Sequence, residues 1–120
     1  METYFELAHI GMNLNCPEEA EKIASTLSLL FDMRPREGKK SIFVGDLFEC
    51  MKTPYLGSKG HIGLCTNNLS SAVSKIKSKG FSFREETASY DDAGRLCNIY
   101  LDGEFCGFAI HIMQKQLFPA

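Results

Sequence analysis

The chain has 120 residues, of which 44% are hydrophobic and 23% charged. This is ordinary usage for a globular protein at the usual size of one domain. A net charge of −2, from 13 basic and 15 acidic residues without long runs, excludes the basic face expected of a nucleic-acid binder. Apolar runs reach only Leu29-Leu30-Phe31, far short of the roughly 20 residues of a membrane span, and the acidic start Met1-Glu2-Thr3-Tyr4 lacks a signal pattern. We therefore expect a cytoplasmic protein with neither nucleic-acid nor membrane partners.

The chain reads as two copies of one unit. Ala8-His9-Ile10-Gly11-Met12 recurs as Gly60-His61-Ile62-Gly63-Leu64, and both copies then reach an asparagine, Asn15 and Asn67. A strand at each His-Ile-Gly is followed by a helix. The first helix starts near Pro17, with Glu18 and Glu19 on the positive end of its dipole, and carries an apolar stripe of Ile23, Leu27 and Leu30. The second starts after Asn68 as N-cap, carries Leu69, Ala72, Val73 and Ile76, and ends at Gly80.

Further strands complete each copy. One is expected near residues 33–36 and its counterpart near 81–85. Ser41-Ile42-Phe43-Val44-Gly45-Asp46 resembles Asn98-Ile99-Tyr100-Leu101-Asp102-Gly103, each a strand running into a turn. The last strands hold Leu47-Phe48-Glu49-Cys50-Met51 and Gly107-Phe108-Ala109-Ile110-His111-Ile112-Met113, which places Glu49 opposite His111 in the repeat. The expected architecture is α+β: one domain over 1–120, built from two βαβββ modules whose curved mixed sheets surround a cleft. Module one covers about 5–52, a linker about 53–59, and module two about 60–115.

The only histidines, His9, His61 and His111, fall in strands. Side chains alternate between the faces of a strand. Ala8, Ile10, Met12 and Leu14 then lie under a helix, with His9, Gly11 and Asn13 facing the cleft. His61, Glu49 and His111 face the same way. Three imidazoles and one carboxylate suit a divalent zinc, nickel, iron, cobalt or manganese ion. Taken singly, each is more often a structural histidine or a surface glutamate; their equivalent repeat positions are what point to a metal.

Those residues resemble the vicinal oxygen chelate superfamily, which includes glyoxalase I, extradiol dioxygenases and bleomycin-resistance proteins. The carriers are His9-Ile10-Gly11, His61-Ile62-Gly63, Leu47-Phe48-Glu49, the Ser78-Lys79-Gly80-Phe81 helix exit and the closing strand through His111. The resemblance implies paired βαβββ modules around one metal ion, held by His9, Glu49, His61 and His111, usually within a homodimer. His111 stands where glyoxalases carry a glutamate, which argues against the methylglyoxal-glutathione reaction. With Glu49 or His111 moving a proton, the resemblance implies a lyase or isomerase acting on a small keto-acid, hydroxy-acid or enediolate substrate. The alternatives are a non-catalytic small-molecule-binding module, or an accessory domain of a bacterial 2-keto-3-deoxy-6-phosphogluconate / 4-hydroxy-2-oxoglutarate aldolase, suggested by Phe43-Val44-Gly45-Asp46 and Met51-Lys52-Thr53-Pro54-Tyr55.

Lys52 and Tyr55 are candidates for the cleft mouth, and Arg34, Arg36, Arg84 and Arg95 for anion contacts. Cys16, Cys50, Cys65, Cys97 and Cys106 form no Cys-x-x-Cys pair. They are expected to be reduced and mostly buried.

Overall fold

A computed structural model describes residues 2–116. The elements run β1 (Phe5–Asn13), α1 (Pro17–Phe31), β2 (Pro35–Glu37), β3 (Ser41–Val44), β4 (Phe48–Met51), β5 (Gly60–Thr66), α2 (Leu69–Ser78), β6 (Phe83–Tyr90), β7 (Leu96–Leu101) and β8 (Phe108–Gln114). The mixed α+β architecture matches expectation. The strands of both modules join in one eight-stranded mixed sheet in the order β2-β3-β4-β1-β5-β8-β7-β6. The first strands of the two halves, β1 and β5, pair antiparallel and join the halves at the centre. Each is flanked by the last strand of its own half, β4 or β8, running parallel to it.

Local chemistry explains the helix ends. Pro17 occupies the first turn of α1, where its missing N–H costs nothing. In α2 the Asn68 side chain accepts from the Ser71 N–H, satisfying one of the free donors of the first turn. Gly80 follows Lys79 at a φ of +95°, a left-handed conformation suited to glycine.

Each helix covers its own half-sheet. Ala20 and Ala24 of α1 pack on Ile42, Val44 and Cys50, with Ile23 and Leu27 alongside. In the second half Leu69, Phe83, Ile99 and Ile112 make a separate cluster, joined by Val73 and Ile76. Both clusters occupy the helix side, which frees the opposite face for a cleft. Leu30 departs from the expected stripe and is 64% exposed. The line of α1 that meets the sheet runs through Ala20, Ala24 and Leu27 to Phe31, which stacks on Phe48 of β4; Leu30 lies to one side of that line.

The thiols also depart from expectation: Cys50 is buried, Cys16, Cys65 and Cys97 are half-buried, and Cys106 is exposed. Cys106 lies in the turn before β8, where no strand alternation turns it inward.

Candidate metal centre

The register of the four central strands brings the site together. Across the antiparallel β1–β5 pair, His9 lies opposite Gly63 and Gly11 opposite His61. Along the parallel pairs, Gly11 neighbours Glu49 and Gly63 neighbours His111. The His9 and His61 rings thus each lean over the glycine of the other half, while His111 borders Gly63 of its own half. A Cβ on Gly63 would stand 2.6 Å from His9 Cε1 and 2.9 Å from His111 Nε2, and one on Gly11 would overlap the His61 ring. The repeated His-Ile-Gly is therefore a reciprocal device, in which each copy supplies one ring and the space for the other copy's ring.

His9, Glu49, His61 and His111 all converge on the face away from the helices. His9 Nε2 lies 3.2 Å from both His61 Nε2 and His111 Nε2, and 3.5 Å from Glu49 Oε1. Glu49 Oε1 is 2.9 Å from His61 Nε2. The three imidazoles are 9%, 3% and 7% exposed, in chain order.

The donor chemistry fits a cation. One Nε2 carries at most one hydrogen, yet His9 Nε2 faces two other ring nitrogens and a carboxylate oxygen. Proton sharing cannot satisfy all of these contacts, whereas a cation at their centre can. Neighbouring donors about 2.1 Å from a common ion lie roughly 3.0–3.4 Å apart in octahedral or tetrahedral arrangements, close to the 2.9–3.5 Å separations of His9 from its three neighbours and of His61 from Glu49. The three histidines are thus placed to bind a metal ion.

Neighbouring side chains fix this set. Asn98 Oδ1 accepts from His111 Nδ1 at 2.6 Å. The proton is then on Nδ1, and the Nε2 lone pair points into the cluster, as a ligating histidine requires. Ser41 Oγ donates to Glu49 Oε2 at 2.7 Å. The Tyr100 ring stacks on His111 with centroids 4.6 Å apart at 14°, and Phe43 meets His9 edge-on at 5.7 Å. His61 Nδ1 is buried without a partner, so this ring makes its polar contacts through Nε2 alone.

Burial and charge set the protonation states. Burial, with His61 beside it, pushes the His9 pKa down. Burial, reinforced by His9 and His61, pushes that of His111 down to about 3. Burial alone would raise the Glu49 carboxyl, but hydrogen bonds from His61 and Ser41 outweigh it and hold the group below its ordinary value. Neutral imidazoles around an ionised carboxylate are the state that ligation needs.

The cluster forms the floor of a cleft of about 660 Å³, whose walls include Phe43, Tyr55, Tyr100 and Met113. Tyr55 lines the cleft, held there by Asn13, whose side chain bonds Tyr55 N, Tyr55 O and Gly57 O. Lys52 instead pairs with Glu37. Arg36, Arg84 and Arg95 pair with Asp46, Glu86 and Asp91 outside the cleft, and Arg34 does not line it either. Sequence reasoning missed Ser41, Asn98 and Tyr100 as site residues. The signal was present in the repeat: Ser41 aligns with Asn98, as Glu49 does with His111, and each holds its counterpart.

No protein-family model matches the chain, and no curated protein matches it. Solved structures do. A hypothetical protein from Bacillus halodurans C-125 superposes with a TM-score of 0.65 at 12% identity, covering 97% of this chain and 98% of that one. A Streptomyces coelicolor methylmalonyl-CoA epimerase variant, in complex with 2-nitronate-propionyl-CoA, gives 0.64 at 11% identity, with 96% and 97% covered. Methylmalonyl-CoA epimerase from Mycobacterium tuberculosis gives 0.61 at 12%, covering 92% and 87%. The chain has a glyoxalase-like fold. At these identities the likeness is one of fold, which hosts several functions. Among the described residues, no helix is long and apolar enough to cross a membrane.

Proposed function

We propose that this chain is a divalent-metal enzyme of isomerase or lyase type, acting on a small keto-acid, hydroxy-acid or enediolate substrate. The observation that carries this reading is the convergence of three imidazole Nε2 atoms and Glu49 Oε1 at the floor of an open cleft. His9, His61, His111 and Glu49 would hold the ion. When bound, it supplies a Lewis acid that polarises two adjacent substrate oxygens and stabilises charge developing on them.

Of the two groups expected to move a proton, Glu49 is the better suited. Among the described residues it is the only carboxylate lining the cleft. It is ionised at neutral pH, and Ser41 steadies Oε2 while Oε1 lies against the His61 and His9 Nε2 atoms. His111 resists protonation, and Asn98 occupies its Nδ1. It serves as a ligand.

The same observation supports a second reading, a binding module without turnover. Because Glu49 belongs to the donor set, no other carboxylate in the cleft is free to act as base. One experiment separates the two. Metal-reconstituted protein is incubated in D2O with a panel of 2-oxo and 2-hydroxy acids, and exchange at the carbon beside the carbonyl is followed by proton NMR. Exchange that stops in Glu49→Gln at saturating metal supports the enzyme. Binding without exchange or turnover across the panel would assign the cleft to the binding module.

A further inference from the structure

Within this cleft the two halves of the site differ in one respect that bears on the ligand. Phe43 and Tyr100 occupy equivalent places, two residues beyond Ser41 and Asn98, and both rings border the histidines. Only Tyr100 carries a hydroxyl. The residue is just 6% exposed, and its ring is fixed by stacking on His111 and by edge contacts with Tyr55 at 5.9 Å and His61 at 6.3 Å. Its single hydrogen bond to a side chain is made by the backbone N–H, to Thr87 Oγ1. The phenol has no partner among the described residues, although it borders the cleft. The hydroxyl itself is open to the cleft, where it is available to donate to a ligand.

Burial, with Tyr55 and Glu49 near it, pushes the Tyr100 phenol well above its ordinary range, so it stays a neutral donor. We propose that the Tyr100 hydroxyl is a ligand-binding donor that receives the carboxylate of a 2-oxo or 2-hydroxy acid, while the ligand's carbon body lies toward Phe43. This deepens the metal-site reading and rests on it for the ligand class. The competing anchor is Lys40, exposed on the opposite rim of the cleft.

The test is calorimetric titration of metal-loaded protein with pyruvate and with hydroxyacetone, its uncharged counterpart. Wild type should bind pyruvate more tightly. Tyr100→Phe, which keeps the ring, should retain full metal content and lose roughly tenfold to a hundredfold in pyruvate affinity, the usual range for a hydrogen bond to a charged group. Hydroxyacetone affinity should change little. In protein carrying 13Cζ-labelled tyrosine, the resonance missing from Tyr100→Phe should shift on adding pyruvate, which a merely structural tyrosine would not do. An unmoved resonance, or pyruvate affinity kept in Tyr100→Phe but lost in Lys40→Met, would overturn the proposal. If wild type takes up no metal, the metal reading fails separately. The Tyr100 assignment then survives only if metal-free protein binds pyruvate and Tyr100→Phe weakens it.

Discussion

Replacing Gly63 with alanine tests the reciprocal packing of rings over glycines. Gly63 is absent from the left-handed positions, so its backbone accepts an L residue. In a strand interior, Gly→Ala would ordinarily gain about 0.5–1 kcal/mol. Here the added methyl would meet His9 Cε1 at 2.6 Å and His111 Nε2 at 2.9 Å, where ordinary contacts begin at 3.4 Å. Relief requires two rings to retreat by about 0.5–0.8 Å, several times the roughly 0.2 Å tolerance of a metal–ligand distance. Overpacking at such a site costs about 1–3 kcal/mol. Gly63→Ala should therefore lower metal affinity by at least about tenfold to a hundredfold, the loss typical of disturbed ligand support, and lower the melting temperature of the metal-free protein. Competition titration against a chromogenic chelator and thermal melts of the metal-free form read the two effects. Wild-type metal affinity in a Gly63→Ala protein would refute the packing argument.

Asn98→Ala and Ser41→Ala should each weaken metal binding by about tenfold to a hundredfold while leaving the fold intact, because they free His111 Nδ1 and Glu49 Oε2; circular dichroism beside the same competition titration checks this. Metal-free protein should lose stability as pH falls from 6.5. There the unfolded chain protonates histidines that His9 and His111, with lowered values, keep neutral in the fold. The slope is up to about 1.4 kcal/mol per pH unit for each such group. Below about 4.5 Glu49, also held low, adds to the decline; urea unfolding that is flat or rising between pH 6.5 and 4.5 would contradict these assignments. Leu69→Ala, at a fully buried position of the second core, should cost about 2–5 kcal/mol in urea unfolding. Metal stoichiometry below its melting transition should be unchanged, because that core lies on the opposite face of the sheet.

The halves of this fold are legible because each repeats the same chemistry. The alternation at Ala8-His9-Ile10-Gly11-Met12 assigns the faces of β1, and the copy at His61 assigns those of β5. What single strands do not reveal is register. The crossing of His9 with Gly63 depends on how β1 and β5 align, and a slip of β1 by one residue would turn His9 to the helix side. Asn98 and Ser41 look like ordinary strand polar residues until the parallel and antiparallel neighbours of β8 and β4 are known. Leu30 misleads for another reason: helical spacing reports a broad stripe, but the line that meets the sheet runs through Ala20, Ala24 and Leu27, and Leu30 lies to one side of it. The hold of Asn13 on the segment carrying Tyr55 spans 42 residues and leaves no local mark.

The central claim is that His9, His61, His111 and Glu49 hold one divalent ion. Its most direct test is the metal content of tag-free protein by mass spectrometry, measured after reconstitution with nickel, zinc, iron, cobalt or manganese, beside His9→Ala and His61→Ala. The account predicts close to one ion per chain in the wild type and its loss in both variants, with their secondary structure unchanged. A wild type that takes up none of these metals, or variants that keep a full complement, would contradict it.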